Sequence, residues 1–257
     1  MAQLDVVSRA ESIQYNRKLN THQMKSIIYY TDNELAEPLF SVAQSLILDA
    51  NLPIVSVSLK PINFGKNVVV SGQRGYPTMV KQILTALEMS RAEHVFFCEH
   101  DCLYPKSHFD FTPTKNNIFY YNENVWRWWF KGAIAITYDR MLPLSCMCVN
   151  REFALAHYRM RQRKIEESGA DSFKSREPLL VRQWGYEPGT KKTKRGGLTD
   201  DDFETWRSKE PVIDIRHKKS FSPPKITLDS FKHAPTGWKE MSFNEIPGWN
   251  LKELFNL

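Results

Sequence analysis

The sequence predicts an α/β fold in which a mostly parallel central sheet is flanked by helices. Short apolar runs with the composition of strands alternate with segments whose apolar residues recur every three or four positions. Polar residues directly follow two of the apolar runs, at 31–33 and at 99–101. Strands that alternate with helices pair in parallel, with a ligand crevice beyond their carboxyl ends. Both polar groups are therefore expected at the same edge of the sheet.

The first half of the chain contains the clearest elements. A run rich in Ile and Tyr predicts the first strand, and the apolar residues that follow Pro38 have helical spacing. A Gly-containing turn at 71–75 precedes the second helix. The predicted elements are a strand at 26–30, a helix that begins at 38 and ends before 51–53, strands at 54–59 and 66–70, a helix from 78, and a strand at 95–98.

The second half is less regular. An aromatic cluster, Trp126 to Phe130, stands in its first part, and from Ser222 the chain is Pro-rich with an amphipathic end. The predicted elements are strands at 117–121, 133–138, 144–149 and 211–216, a basic helix at 152–164, and a loop rich in Lys, Thr and Gly at 189–197.

The composition is that of a globular protein with an anionic partner. Hydrophobic residues make up 42% of the 257 residues and charged residues 25%, which excludes disordered and fibrous classes. The net charge of +6 and the pI of 9.0 favour a nucleotide, a nucleic acid or an acidic membrane surface as partner. No apolar run approaches the roughly 20 residues of a membrane span, and the first residues lack signal-peptide order. We therefore expect no transmembrane segment and a cytoplasmic location.

Two acidic residues follow the apolar run at 95–98. Glu99 and Asp101 are two positions apart, so their side chains point to the same side of an extended backbone. Carboxylates at such a strand end could hold a divalent cation that bridges two phosphates and stabilises the charge of a leaving diphosphate. The alternative is that both acids simply end a strand in solvent, because motifs of this size are frequent by chance.

The order of these features resembles the nucleotide-binding half of glycosyltransferases with the GT-A fold, which is Rossmann-type, and in particular family-2-like nucleotide-sugar transferases of the phage or bacterial type. The similarity covers about residues 26–105 and continues more weakly to about 220. It implies one GT-A-like catalytic domain over residues 1–257. Within it, the resemblance implies a nucleotide-sugar-binding half at 26–105, a smaller acceptor-side half at 106–220 and a C-terminal extension at 221–257.

The resemblance also implies a Mn²⁺ or Mg²⁺ site. The family binds its metal through a D-x-D motif, whose first position is Glu99 here. Asp101 matches the last carboxylate, so it is the expected direct metal ligand and a catalytic residue. The family often supplies a further ligand from a histidine after the last strand, and His217 matches it in order and setting. The alternative is that His217 is a surface histidine in a basic run with Lys218 and Lys219.

Donor-binding residues follow from the same resemblance. Thr31 and Asn33 would line the base or ribose pocket, and Glu99 would lie close to the nucleotide sugar. Gln73, Arg74 and Lys81 would approach the nucleotide from the turn and the second helix. Each has a plain alternative, because Thr and Asn often cap helices and a helix lysine is often solvated.

A general base is needed if the enzyme inverts the anomeric centre, whereas a retaining enzyme needs none. The family usually places this carboxylate near the start of a helix, and Glu152 matches that position. The sequence Asn150-Arg151-Glu152 departs from the usual Glu-Asp pair, and the alternative is that this helix-start acid serves only the helix dipole. Glu187 and the acids at 200–202 are other candidates.

The acceptor is expected near Trp126, Arg127 and Trp128, where aromatic rings could stack on a sugar or a base, although such clusters are more often core. The region 159–195 is rich in Lys and Arg. Basic and aromatic residues together are typical of nucleic-acid binding, so a modified base in DNA, flipped out of the helix, is a possible acceptor. Solvated charge or contact with an anionic membrane surface is the simpler explanation of the basic residues.

Two other functions share some of these features. A nucleotidyltransferase would use the same donor pocket and metal but would release pyrophosphate. A non-catalytic nucleic-acid-binding protein would explain the charge and leave Glu99, Asp101 and His217 without a role. Substitution of Asp101 separates the classes, because an enzyme loses metal-dependent turnover and a binding protein does not.

Overall fold

The computed structural model describes residues 24–169, 203–220 and 224–257. Its first elements alternate between strand and helix, as predicted. They are β1 (Lys25–Thr31), α1 (Leu39–Leu48), β2 (Ile54–Ser58), β3 (Lys66–Val69), α2 (Tyr76–Met89) and β4 (His94–Glu99).

The later elements are shorter strands and two more helices. They are β5 (Cys102–Leu103), β6 (Phe119–Asn122), β7 (Val125–Trp129), β8 (Ile134–Thr137), β9 (Met147–Asn150), α3 (Arg151–Glu167), β10 (Phe203–Trp206), β11 (Val212–Arg216), β12 (Lys239–Ser242) and α4 (Leu251–Phe255). The predicted strand at 144–149 begins with a 3₁₀ turn at Leu144–Cys146.

A seven-stranded sheet forms the centre, in the order β10-β6-β9-β4-β1-β2-β3. Four of its six neighbouring pairs are parallel, and β9 is antiparallel to both β4 and β6. The predicted α/β class with a mostly parallel central sheet is therefore confirmed. The order β3-β2-β1-β4 is the 3-2-1-4 order of nucleotide-binding sheets, and the strand order reverses between β1 and β4.

A five-stranded sheet adjoins it, in the order β12-β8-β7-β11-β5. The chain passes between the two sheets repeatedly, from β4 to β5, β5 to β6, β6 to β7, β8 to β9 and β10 to β11. The C-terminal segment contributes β12, which pairs with β8, so this part of the chain belongs to the second sheet.

Apolar cores cover both faces of the central sheet. On one face, α2 and α3 pack on Ile28, Val57 and Phe97. The opposite face buries Tyr29, Phe96 and other residues, among them part of the second sheet. A third core places α1 and α4 against the apolar face of β7 and β11.

The carboxyl ends of β1 and β2 are tied together by Asn33. This residue has a φ of 61°, a left-handed conformation that asparagine tolerates better than most residues. Its Oδ1 atom accepts hydrogen bonds from the backbone amides of Leu59 and Lys60, both at 2.8 Å. The loops after the two strands are therefore held at the same sheet edge.

Candidate active site

A cleft opens at the carboxyl ends of β1 and β4, where the strand order of the central sheet reverses. It contains about 550 Å³ of empty space, which includes the open solvent at its mouth. Ligands bind at this position in open α/β sheets. Its walls are the ends of the two strands, the start of α2, and the turn after β11; the lining residues include Thr31, Asp32, Arg74, Met79, Glu99, His100, Asp101 and Lys219.

Three side chains with metal-binding atoms meet at one end of the cleft. Ligand atoms of His100, Asp101 and His217 lie within 4.8 Å of one another. The Nε2 atom of His217 is 3.5 Å from Oδ2 of Asp101. This nitrogen is buried and has no hydrogen-bond partner in the part of the chain that the structure describes. A buried, unsatisfied nitrogen beside a carboxylate is the arrangement expected of a metal ligand.

The pairing of β5 with β11 explains how residues so distant in sequence meet. In this antiparallel pair Asp214 lies opposite Cys102. The backbone amide of Ile215 also donates a hydrogen bond to the carbonyl of Asp101, at 2.9 Å. As β5 begins directly after the acidic turn and β11 ends directly before His217, the register brings His217 to Asp101.

Glu99 belongs to a second group of possible ligands, with Asp101 and Cys102. Burial, followed by the charge of Asp101, raises the pKa of Glu99 to about 8, and the hydroxyl of Tyr30 donates a hydrogen bond to its Oε1 at 2.8 Å. Burial also raises the pKa of the Cys102 thiol well above its usual range. Because a protonated thiol is a poor ligand, the group of His100, Asp101 and His217 is the better metal site.

Two cations also line the cleft, and each is paired with an acid. The guanidinium of Arg74 contacts the carboxylate of Asp32 and the carbonyl of Lys219. The ammonium of Lys219 lies 2.7 Å from Oε2 of Glu34. These contacts hold the turn after β11 against the loop after β1.

Thr31 and Arg74 lie in the cleft wall, where the sequence placed them. The Oγ1 atom of Thr31 is hydrogen-bonded to Nδ1 of His100 at 2.7 Å. Asn33, Gln73 and Lys81 are not among the lining residues. The Asn33 amide is occupied by the loop after β2, and Lys81 donates to the carbonyl of Ser71 at 3.1 Å.

Glu152 is placed at the wrong edge of the sheet for a general base. It follows β9, which is antiparallel to β4, and Asn150 lies opposite His94 at the beginning of β4. The cleft lies beyond Glu99 at the other end of β4, about 16 Å away along the strand. The expectation that Glu152 takes a proton from a bound acceptor is therefore corrected. The other candidates, Glu187 and the acids at 200–202, lie outside the described residues.

The residues at 126–128, which were expected to bind the acceptor, are buried and make their contacts within the protein. Trp128 is completely buried and stacks on Phe243, and Trp126 is 7% exposed in the same apolar core. Arg127 is also buried, and its Nε atom donates to Asp214 at 2.9 Å. The side chains of Trp126 and Trp128 are thus core residues, and they offer no platform to a ligand.

Sequence reasoning did not assign His100 or Asp32 to the site. Strand alternation puts His100 opposite to Glu99 and Asp101, but β4 ends at Glu99 and residue 100 lies in a turn. The direct succession of a histidine and an acid after a buried strand was the available signal. For Asp32, the signal was its place between Thr31 and Asn33 at a strand end.

Three solved structures with a similar fold are neighbours of this chain. No family model and no curated protein matches the chain. One similar solved structure is a glycosyltransferase involved in glycosylation of the major capsid of PBCV-1, with a TM-score of 0.40, 8% identity, and coverage of 72% of this chain and 82% of that one. Another is the apo form of the glycosyltransferase GlyE of Streptococcus pneumoniae TIGR4, with a TM-score of 0.37, 10% identity, and coverage of 69% and 45%.

A third is a mutant of Drosophila β-1,4-galactosyltransferase 7 in complex with manganese, UDP-Gal and xylobiose, with a TM-score of 0.38, 9% identity, and coverage of 79% and 76%. All three are glycosyltransferases. In the described part of the chain, no helix is long and apolar enough to cross a membrane.

Proposed function

We propose that the protein is a metal-dependent glycosyltransferase that moves a sugar from a nucleoside-diphosphate sugar to a hydroxyl acceptor. The observation that carries this proposal is the meeting of His100, Asp101 and His217 at the switch point of a 3-2-1-4 sheet. His100 and Asp101 follow β4, and His217 follows β11, so two distant parts of the chain meet there. A simple ligand-binding crevice has no need for such a set of ligands.

The three residues supply two imidazole nitrogens and a carboxylate, which fit an octahedral Mn²⁺ ion better than Mg²⁺, because Mg²⁺ prefers oxygen ligands. With metal–ligand distances of about 2.1 Å, adjacent ligands are about 3 Å apart and opposite ligands about 4.2 Å. The observed spread of up to 4.8 Å closes to these values with small side-chain movements. His217 binds through Nε2 when its proton is on Nδ1, which requires the 3.3 Å contact from the Lys219 amide to Nδ1 to lengthen.

One group of residues in the cleft is proposed to bind the metal, and another is proposed to bind the nucleotide-sugar donor. When bound, the cation stabilises the negative charge that develops on the leaving diphosphate. Leu59 and Met79 supply apolar wall for a nucleoside, beside the polar groups of Thr31 and Asp32. Arg74 and Lys219 supply positive charge for phosphate oxygens, once they exchange their present carboxylate partners for the donor.

The acceptor is proposed to enter from the open side of the cleft. A modified base in DNA remains one candidate, supported by the net charge of +6. Of the basic residues at 159–195, those beyond 169 lie outside the described residues. Of those within it, Arg161 is buried and Arg159 is 3.3 Å from Glu88. Arg163, in contrast, is exposed and Lys164 is half-buried, so this part of α3 presents some positive charge to solvent.

The test is a panel of nucleotide sugars incubated with Mn²⁺, followed by measurement of nucleoside diphosphate release. The wild type is expected to hydrolyse one donor slowly, and hydroxymethylated DNA and simple sugars are then tried as acceptors. Asp101→Asn is expected to lower the rate by at least about 100-fold. Glu152→Gln is the matched control, because it removes an acid at the far edge of the sheet and is expected to change the rate by less than about threefold.

Other outcomes identify the rival functions. Release of pyrophosphate from nucleoside triphosphates would assign the cleft to a nucleotidyltransferase. Nucleic-acid binding that survives Asp101→Asn, with no donor bound in the presence of any divalent metal, would show that the chain is a binding protein.

A further inference from the structure

A buried ion cluster lies directly behind the metal ligands. Asp214 of β11 lies opposite Arg127 of β7, and its Oδ2 atom accepts a hydrogen bond from Arg127 Nε at 2.9 Å. The same oxygen accepts one from the guanidinium of Arg216, at 2.7 Å. The three side chains are 5%, 8% and 12% exposed. Burying charged groups costs free energy that their pairing only partly offsets, so a role of the cluster other than stability has to be considered.

Arg216 is shared between this cluster and the acidic turn. It immediately precedes His217, and β11 pairs with β5 beside Asp101. Because the amide of the preceding residue, Ile215, donates to the Asp101 carbonyl, the Arg216 side chain starts beside the acidic turn, within the length of an arginine side chain of Asp101. The structure shows its guanidinium hydrogen-bonded to Asp214.

The choice of partner matters for a cation at Asp101. An arginine that turned to Asp101 would occupy carboxylate oxygens with strong, charge-assisted hydrogen bonds. It would also bring a fixed positive charge to the place where a divalent cation must sit, at short range and in a poorly solvated environment. Either effect lowers metal affinity.

We propose that Asp214 is a positioning residue for the metal site, which holds the Arg216 guanidinium away from Asp101 and so leaves that carboxylate open to a divalent cation. The inference rests on the proposed function, because it requires Asp101 to be a metal ligand. Arg127 of the neighbouring strand β7 donates a hydrogen bond to Asp214. This bond fixes the position of the carboxylate that restrains Arg216.

The experiment measures Mn²⁺ binding from the free-ion EPR signal, without donor or turnover. Asp214→Asn keeps the shape of the side chain and removes its charge, and it is expected to weaken Mn²⁺ binding by about tenfold or more. In the double variant Asp214→Asn with Arg216→Gln, the competing guanidinium is absent. Binding is then expected to return to within about threefold of the wild type.

Arg216→Gln alone keeps the Arg127–Asp214 pair and is the variant that remains informative if Asp214→Asn fails to fold. It removes a positive charge next to the site, so Mn²⁺ binding is expected to be unchanged or tighter. Asp229→Asn removes an exposed carboxylate and controls for the loss of one negative charge.

The outcomes separate this inference from the proposed function. If the wild type binds Mn²⁺ and Asp214→Asn binds it equally well, or if the double variant binds as weakly as Asp214→Asn, the positioning role is wrong and the metal site stands. Weaker binding by Arg216→Gln alone also overturns it. If the wild type binds no Mn²⁺, the metal site and the inference are both wrong.

Discussion

His108 is a neutral histidine in the apolar core. Its Nδ1 atom accepts a hydrogen bond from the amide of Asn122 at 3.1 Å, and its ring packs against those of Phe96, Phe109 and Trp206. Burial lowers the pKa of His108 from 6.5 to about 3. The folded protein therefore keeps this ring uncharged at pH values where the unfolded chain binds a proton.

The burial of this ring makes the free energy of unfolding decrease as the pH is lowered. Between pH 6.5 and about 3 the unfolded state binds more protons than the folded state, so stability falls as the pH falls. At pH 5 the expected loss is about 2 kcal/mol relative to pH 7. This loss is measured by urea unfolding of the wild type and of His108→Gln at both pH values. Glutamine is the chosen replacement because it does not titrate and its side-chain oxygen can still accept a hydrogen bond from Asn122. If the two proteins lose the same stability on acidification, His108 is not the group responsible.

Arg127 shows what single residues in a sequence can and cannot predict. Its place between two tryptophans suggested a charged residue at an aromatic binding surface. Its true partner, Asp214, is 87 positions away, and the two meet only because β7 pairs with β11. Asp101 and His217 were expected as ligands from the sequence, whereas the position of His100 beside them required knowing that β4 ends at Glu99.

At the scale of elements, the junction of β9 and α3 is set by one side chain. Asn150 is the last residue of β9 and the N-cap of α3. Its Oδ1 atom accepts hydrogen bonds from the backbone amides of Glu152 and Phe153, at 3.0 and 3.2 Å. Two amides that otherwise lack partners at the helix start are thereby satisfied.

Asn150→Ala is expected to destabilise the protein by about 1 kcal/mol, because both capping hydrogen bonds are lost. Asn150→Asp retains the acceptor and adds a charge that suits the helix N-terminus, so its stability should stay close to that of the wild type. Chemical denaturation of the three proteins gives the comparison. Equal loss in both variants would mean that the side chain matters through its packing and not as a cap.

Elements with a strong local pattern were predicted best. The strands near 26–30, 54–59 and 95–98 are present because β-branched and aromatic residues there fill a sheet that is buried on both faces. The cluster at 126–130 was harder to interpret, because the same aromatic composition suits a core strand and an exposed platform. Only the packing of α1 and α4 on β7 decides for the core.

At the scale of the whole molecule, the second sheet depends on the C-terminal segment. β12 pairs with β8, and α4 places Leu251 and Phe255 in the same core as Trp128. The sequence indicated only an amphipathic end, since an amphipathic pattern shows that a face will be buried and not what will bury it. The same limitation applies to the pairing of β5 with β11, which brings His217 to Asp101.

Leu251→Ala is expected to destabilise the protein by about 3 kcal/mol, because the leucine is fully buried and a cavity remains between α4 and β7. Leu228→Ala is the control, since that side chain is 43% exposed and its loss should cost less than about 0.5 kcal/mol. Thermal unfolding of both variants tests whether α4 is an integral part of the fold. A negligible effect of Leu251→Ala would show that the segment is dispensable.

If the two halves of the chain meet to hold one divalent cation at the switch point of the sheet, crystals soaked in MnCl₂ and a nucleoside diphosphate will reveal that ion in an anomalous difference map. We predict a single strong peak about 2.0–2.3 Å from ligand atoms of His100, Asp101 and His217. A map without a peak there in crystals of the intact protein, or with manganese bound only elsewhere, would contradict the account.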